Sequence, residues 1–352
     1  MKAIGFIGVL CLAFSMLGAD MASAQAQVQE RVLIYTDHEP LGGMRTRFIN
    51  EVFFPAIEKE SNGRLKIKPH WGGELSISYD ALRKVAEGSV ADMAIVVPEY
   101  TADVLPLHQV FKSFPVGPSG ERQLDFFHRV YREIPTLTEE LAKANLVAVL
   151  FCTGYPTAFF SAGPMNGLED LREKRYRSAS FWHRKFLENG GAEPVVMPWN
   201  KEICTALEDG SLDGVMVNVD SGYELGVHEA APHVLLSKDL WLGHLYLLVM
   251  NRSTWDGLAK DDREAIQRAA RTAYASLAAM MDSSFDAQVE ELRQKGATVR
   301  ILDFAEVERW QNAIDYHGAQ SAWVKEQEKK GVTGAGAVME RVAAIMDDVM
   351  RR

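Results

Sequence analysis

Residues 167–218 read GLEDLREKRYRSASFWHRKFLENGGAEPVVMPWNKEICTALEDGSLDGVMVN. Arg177 sits at the centre of this stretch. It ends a short alternating run (Lys174, Arg175, Tyr176) with the pattern of a strand end, and the small residues Ser178, Ala179 and Ser180 follow it. A guanidinium at a strand-to-helix switch, flanked by residues that leave room, presents a planar fork to a carboxylate. A helix beginning near Ser180 would aim its free N–H groups at the same point. Further on, Asp213-Gly214 leads into an apolar strand, Val215-Met216-Val217, that delivers Asn218 at its end. The segment reads as two βα units outlining a carboxylate site. The plainer reading of Arg177 is a solvated surface charge: the chain has 38 Lys and Arg, and Arg172, Lys174 and Arg175 lie within five positions of it.

Strand and helix signals alternate on both sides of this stretch, which argues an α/β fold. Residues 31–35 read as a strand, followed by a loop through His38, Glu39 and Gly43. Phe48, Ile49, Val52, Phe53 and Ile57 then share one helix face, and Asn62-Gly63 ends that helix. Residues 65–69 form the next strand, with Trp71-Gly72-Gly73-Glu74 at its carboxyl end, and residues 93–97 a buried strand closing at Pro98. Ligands of open α/β sheets sit outside the carboxyl ends of the strands. That rule nominates the loops around His38 and Glu39, around Trp71 to Glu74, and around Glu99 and Tyr100. An apolar strand at 146–152 breaks at Thr153-Gly154-Tyr155-Pro156, the expected first crossing between domains. Strands at 234–236 and 245–250 flank Trp241-Leu242-Gly243-His244, the expected return crossing.

Residues 258–295 contain neither Gly nor Pro, and apolar residues recur at steps of three or four from Ile266 to Leu292. This is one amphipathic helix of about 35 residues and about 50 Å, longer than a small domain is wide, so it must run along two. A strand at 299–302 and two helices, near 305–329 and 337–350, complete the chain. The methionines of the last helix are read as core packing.

The start of the chain is a targeting segment. Lys2 is followed by an apolar run, residues 3–18, and by Ala22-Ser23-Ala24, an A-x-A cleavage pattern that would leave Gln25 as the first mature residue. Cys11 lies too deep in the apolar run to be a lipid-anchor position. No later stretch reaches the about 18 uninterrupted apolar residues of a spanning helix. The expected product is exported to the periplasm without a membrane anchor. A net charge of −10 argues against nucleic acid, whose phosphates it would repel. Cys152 and Cys204 read as two free small hydrophobes, with a disulfide permitted in an oxidising compartment, and no structural zinc or other metal is expected. The mature length exceeds what one core covers, which favours two domains.

The order of blocks in residues 167–218 resembles the solute-binding proteins of tripartite ATP-independent periplasmic (TRAP) transporters, of the DctP type. The likeness runs through Gly167-Leu168-Glu169-Asp170-Leu171, Lys174-Arg175-Tyr176-Arg177, Gly191-Ala192-Glu193-Pro194-Val195-Val196-Met197-Pro198 and Glu202 to Gly210, ending at Leu212-Asp213-Gly214. Weaker likeness extends over nearly the whole mature chain, including residues 61–65 and 85–94. The resemblance implies a two-lobed α/β periplasmic binding protein fold with a long helix spanning both lobes. Residues 28–151 plus about 241–280 would form lobe I, and 152–240 plus about 281–352 lobe II, sharing a spine at about 261–295. It implies that Arg177 grips a ligand carboxylate and that Asn218 steadies the same group, although the spacing DGVMVN is looser than the usual DGqeN. It also implies membrane subunits of a TRAP transporter as partners, with a monomer expected.

Many relatives that bind sugar acids carry a second Arg in the strand-turn before the main motif. Residues 153–160 hold none, which counts against a sialic-acid-like ligand. Glu39, Trp71, Tyr100, Tyr155, Phe181 and Trp241 are candidate lining residues, suiting an apolar or aromatic monocarboxylate or a 2-oxo acid. Core packing is the plainer role for each aromatic. No cofactor is expected. Catalytic patterns are missing: there is no G-x-S-x-G elbow, Walker A or dinucleotide fingerprint. His228 and His233 are five apart with Pro232 between them, which spoils a metalloprotease box and reads as a surface turn. The protein is therefore read as binding without catalysis. A sensor-type binding protein and an exported hydrolase or isomerase are the alternatives.

Overall fold

The computed structural model describes residues 30–352 except Pro198 and Leu242. The export segment expected at residues 1–24 lies outside the described residues. Strands β1 (Arg31–Thr36), β2 (Leu65–His70), β3 (Met93–Val96) and β4 (Leu146–Thr153) come first. Then follow β5 (Thr157–Ser161), β6 (Arg175–Arg177), β7 (Glu193–Val195), β8 (Gly214–Asn218) and β9 (His233–Leu236). β10 (Leu245–Asn251) and β11 (Thr298–Ile301) are the last. They make two sheets, ordered β2-β1-β3-β10-β4 and β11-β9-β5-β8-β6-β7. The α/β, two-lobed expectation holds.

Local sequence explains each strand's place. β10 reads LYLLVMN and is buried at every position, because it lies between β3 and β4, antiparallel to both. A strand covered on both faces has to be apolar almost throughout. β2 reads LKIKPH at the sheet's edge, where lysines and a proline discourage pairing with another chain. The chain changes sheets between Thr153 and Thr157 and again between Leu236 and Leu245. The two passages touch, with Gly154 N–H donating to the His244 carbonyl at 3.2 Å and Thr157 N–H to that of Leu240 at 3.2 Å.

Of the helices, α1 covers residues 44–60, α2 Gly120–Glu133, α3 Phe181–Asn189, α4 Val219–Glu224 and α5 Lys260–Gln294. α5 is 35 residues long, as its uninterrupted pattern requires. Asp261 and Asp262 in its first turn and Arg293 in its last complement the helix dipole, and Gly296, at φ +90°, turns the chain away beyond its end. It packs on α1, α2 and β4 of one lobe and on α4 and β11 of the other. Its apolar stripe, Ala269, Ala273, Leu277, Met281, Phe285, Val289 and Leu292, is buried along this whole length.

Three expectations change. The helix expected at 305–329 is two, α6 (Phe304–Ala313) and α7 (Tyr316–Lys329). Asp315 adopts the left-handed φ of 44° and its carboxylate caps the second by accepting from Gly318 N–H at 3.1 Å. The tail expected with lobe II divides: β11 joins the second sheet, while α8 (Ala335–Arg351) packs on α2 and on residues Leu107–Ser113. His228 and His233 are not a surface turn: His228 is buried and stacked on Tyr223 at 5.2 Å, and His233 opens β9. Cys152 and Cys204 are free thiols. No helix among the described residues is long and apolar enough to cross a membrane.

Candidate functional site

A cavity of about 420 Å³ lies where the residues after β1, β2 and β3 meet those after β6, β7 and β8. These are the carboxyl ends of parallel strands, where α/β sheets leave a crevice, and the size suits a small organic molecule.

Arg177 is placed by the motif around it. Asp213 accepts from the backbone N–H of Arg175 at 2.8 Å and from its Nε at 3.1 Å, which fixes β6 beside β8. Gly214 follows because a Cβ there would run into the Tyr176 ring and the Phe160 carbonyl. With that register set, Arg177 stands opposite Val215 and is only 3 % exposed. Its Nε and Nη2 donate to the Met197 carbonyl at 3.1 and 2.9 Å, and the Trp199 ring lies 5.0 Å from the guanidinium carbon. No carboxylate among the described residues pairs with it. Burial lowers its pKa, and Tyr100, Glu99 and Tyr79 only partly oppose this. A cation desolvated and unpaired is one that a ligand anion would stabilise.

Beside it, Lys112 is already neutralised. Its Nζ meets Glu99 Oε2, and Glu99 Oε1 lies 3.3 Å from His244 Nε2, whose Nδ1 is 3.2 Å from the Tyr246 hydroxyl. Burial opposes ionisation of Glu99, but Lys112 and His244 outweigh it and hold the carboxyl well below its usual range. Burial and then Lys112 depress His244.

The far end is acidic. Glu39 is held by Arg45, whose fork also grips the fully buried Asp37: Nη1 to Oδ2 at 2.6 Å, Nη2 to Oδ1 at 3.1 Å and Nη2 to Glu39 Oε2 at 2.5 Å. The Arg45 guanidinium lies 4.5 Å from the centre of the Tyr246 ring. Across from Glu39, α4 carries Asp220 and Glu224. Burial first, then Glu39, pushes Asp220 up to about 7. Partial desolvation, then Asp220 and Glu39, pushes Glu224 up to about 8, although its side chain still meets the open cleft. Gly43 leaves room for the Glu224 carboxyl, which a Cβ at that position would strike.

Of the residues nominated by sequence, Arg177, Asn218, Glu39 and Tyr100 line this cavity together. Trp71 does not; its neighbours Gly72 and Gly73 do, while its own ring packs on Tyr35 at 5.2 Å and on Phe54. Tyr155 and Trp241 border a separate hollow of about 20 Å³. Tyr155 is packed against Phe285, and Trp241 donates its indole N–H to the Phe111 carbonyl at 2.8 Å among Phe126 and Phe127. Phe181 is 47 % exposed at the start of α3 and packs edge-on to Trp182. Asn218 is buried, but its amide nitrogen is committed to Asp220 and to Ser221 Oγ (2.8 Å), leaving Oδ1 without a partner. Sequence reasoning did not single out Lys112, Trp199, Glu224 or Tyr246. Only Lys112 carries a local signal, a charge inside the apolar run Val110-Phe111-Lys112-Ser113-Phe114.

The profile of the bacterial extracellular solute-binding proteins, family 7, matches residues 47–322. A solute-binding protein of Chromohalobacter salexigens is 23 % identical over 268 residues, covering 72 % of this chain and 74 % of that protein. Among solved structures, a TRAP solute-binding protein of Rhodoferax ferrireducens with copurified benzoate is 19 % identical with a TM-score of 0.78, covering 91 % of this chain and 99 % of that one. Another, a marine metagenome TRAP solute-binding protein specific for pyroglutamate, is 22 % identical with a TM-score of 0.74, covering 90 % and 99 %.

Proposed function

The chain belongs to family 7 of the bacterial extracellular solute-binding proteins, and from that premise we propose that it captures a small organic acid between its lobes for a TRAP transporter. The observation that carries this reading is Arg177, a desolvated guanidinium lining the cavity with no anion beside it among the described residues. Lys112 is taken up by Glu99, so among the described residues Arg177 is the guanidinium left for the ligand, which favours a single carboxylate over two. Val97, Ile77, Met216 and Val217 offer apolar surface for the ligand's body. Benzoate and pyroglutamate, copurified with two structural relatives, are both compact monocarboxylates.

Leaving Arg177 enclosed and unpaired would cost several kcal/mol, so closure of the lobes is favoured only when a carboxylate is present. The site performs capture without turnover, in the periplasm, and the closed complex is what the membrane subunits receive. The crossings at 154–156 and 237–244 are the hinge.

A thermal-shift screen against a carboxylate panel tests this. Ligand at ~100 times its dissociation constant should add ~2.7 kcal/mol of stability, and the ligand should be recovered intact. Arg177→Met should abolish the shift. An unchanged shift in that variant would remove Arg177 from the site, and product beyond stoichiometric amounts would make the protein an enzyme.

A further inference from the structure

We propose that Glu99 is a specificity-determining residue: by holding the Lys112 ammonium it restricts the cavity to ligands with one carboxylate, and without it Lys112 and Arg177 would together take a dicarboxylate. The inference deepens the reading of Arg177 as the carboxylate site and rests on it.

Lys112 is a fixed part of the cavity wall. It stands as a charge inside the apolar run Val110-Phe111-Lys112-Ser113-Phe114, and its side chain lines the cavity together with Arg177. The backbone that carries it, Leu107–Ser113, is bonded to four other parts of the molecule. Glu140 accepts from the Leu107 N–H at 2.9 Å, and the Gln109 carbonyl accepts from the Trp182 indole at 2.7 Å. The Phe111 carbonyl accepts from the Trp241 indole at 2.8 Å, and that of Ser113 from Gln320 Nε2 at 3.1 Å. A cation on so firmly held a segment is offered to whatever enters the cavity unless something else takes it up.

Glu99 takes it up from a different element, the turn Pro98–Tyr100 that follows β3. Both side chains of the pair are 8 % exposed. Both carboxylate oxygens are engaged, Oε2 with Lys112 Nζ and Oε1 with His244 Nε2 at 3.3 Å, which keeps the group from turning away. A ligand carboxylate brought to Lys112 would therefore lie against the Glu99 carboxylate, like charge on like charge where little water screens them. Displacing Glu99 instead would strand a buried carboxylate on the imidazole alone, and a buried charge that loses its partner is strongly disfavoured. A single carboxylate on Arg177 meets neither penalty. Discrimination here comes from rejecting the wrong ligand as much as from attracting the right one.

The three charges also act on one another. Burial lowers the Arg177 pKa, and Glu99 is among the groups that partly offset this. Burial lowers that of Lys112 as well; Glu99 opposes the change and Arg177 adds to it. The two cations thus stand within each other's field. With Glu99 neutralised, Lys112 would join Arg177 as a desolvated cation without an anion, the condition that makes the guanidinium a carboxylate site.

Four monocarboxylates, each paired with a dicarboxylate of like skeleton, make the test: butyrate with succinate, valerate with glutarate, hexanoate with adipate, and benzoate with isophthalate. Dissociation constants are measured by titration calorimetry on the full mature chain at pH 7. Wild type should bind at least one monocarboxylate tenfold or more tightly than its partner. Glu99→Gln should lower that ratio tenfold or more, and the double variant Glu99→Gln/Lys112→Met, which has no second cation, should restore it. The ratio is taken within one protein sample, so partial unfolding does not distort it, and a merely loosened fold would not be repaired by removing Lys112. A wild type that binds the dicarboxylates equally well, a ratio unchanged in Glu99→Gln, or a double variant that behaves like the single one overturns the proposal. Should Glu99→Gln fail to fold alone, dicarboxylates and not monocarboxylates should restore its soluble yield; rescue by neither or by both alike overturns the proposal. These failures leave Arg177 in its role. If none of the eight acids binds wild type, or Arg177→Met binds them unchanged, the carboxylate reading of Arg177 falls and this proposal with it.

Discussion

Arg177 owes its position to a residue that never touches the cavity. Asp213 clamps the backbone and side chain of Arg175, and Arg177 is two residues along the same strand. Asp213→Ala should lower stability by about 1–3 kcal/mol, as expected for a charge-assisted pair of hydrogen bonds. Denaturant melts measure that cost, and an unaltered midpoint would show the clamp to be idle. Gly43 acts at equally close range. A methyl group there would run into the Glu224 carboxyl, so Gly43→Ala should move that side chain while stability changes little.

At the scale of elements, α5 is common to both lobes, and Leu277 is buried midway along it. Leu277→Ala should cost about 2–5 kcal/mol. Because α5 packs on both sheets, the loss should appear as one displaced transition in calorimetry; two separated transitions would mean the lobes melt independently. This helix was legible in the sequence because a long run without Gly or Pro has few other solutions. β1, β3 and β10 were legible for a related reason, since short apolar runs bounded by turns admit little else, and β2 by its alternation of apolar and charged residues. The pairings β5–β8 and β5–β9 were not, because antiparallel partners far apart in the chain leave no local trace. The split between α6 and α7 was missed because Asp315 ends a helix without the usual Gly or Pro. In the site, Arg177 and Glu39 could be found from strand ends. The aromatics could not be sorted, because Trp71 and Trp241 have the same composition of neighbours whether they face a ligand or Phe126 and Phe54. The amide of Asn218 is taken up by Asp220 two residues on, a contact that spacing does not announce.

For the whole molecule, pH acts through the acidic end. Asp220 and Glu224 titrate at about 7 and about 8 in the folded chain but near ~3.9 and ~4.3 when unfolded. The folded state then holds more protons at neutral pH, so their contribution is present at low pH and is lost as pH rises through 7 and 8. His128, His228 and His244 are depressed and act the other way, but only as pH falls below about 6.5. The ligand-free protein should therefore melt at a lower temperature at pH 8 than at pH 6.5, and Asp220→Asn should flatten the slope. A level wild-type profile across that interval would contradict the placement of the two carboxyls.

The Trp199 indole stacked over the Arg177 guanidinium also gives the protein a built-in optical gauge. An indole's emission responds to a charge held over its face, and a docked carboxylate cancels much of that charge. Occupancy can thus be followed without a label, as a change in intrinsic fluorescence that disappears in Trp199→Phe while the other tryptophans keep emitting.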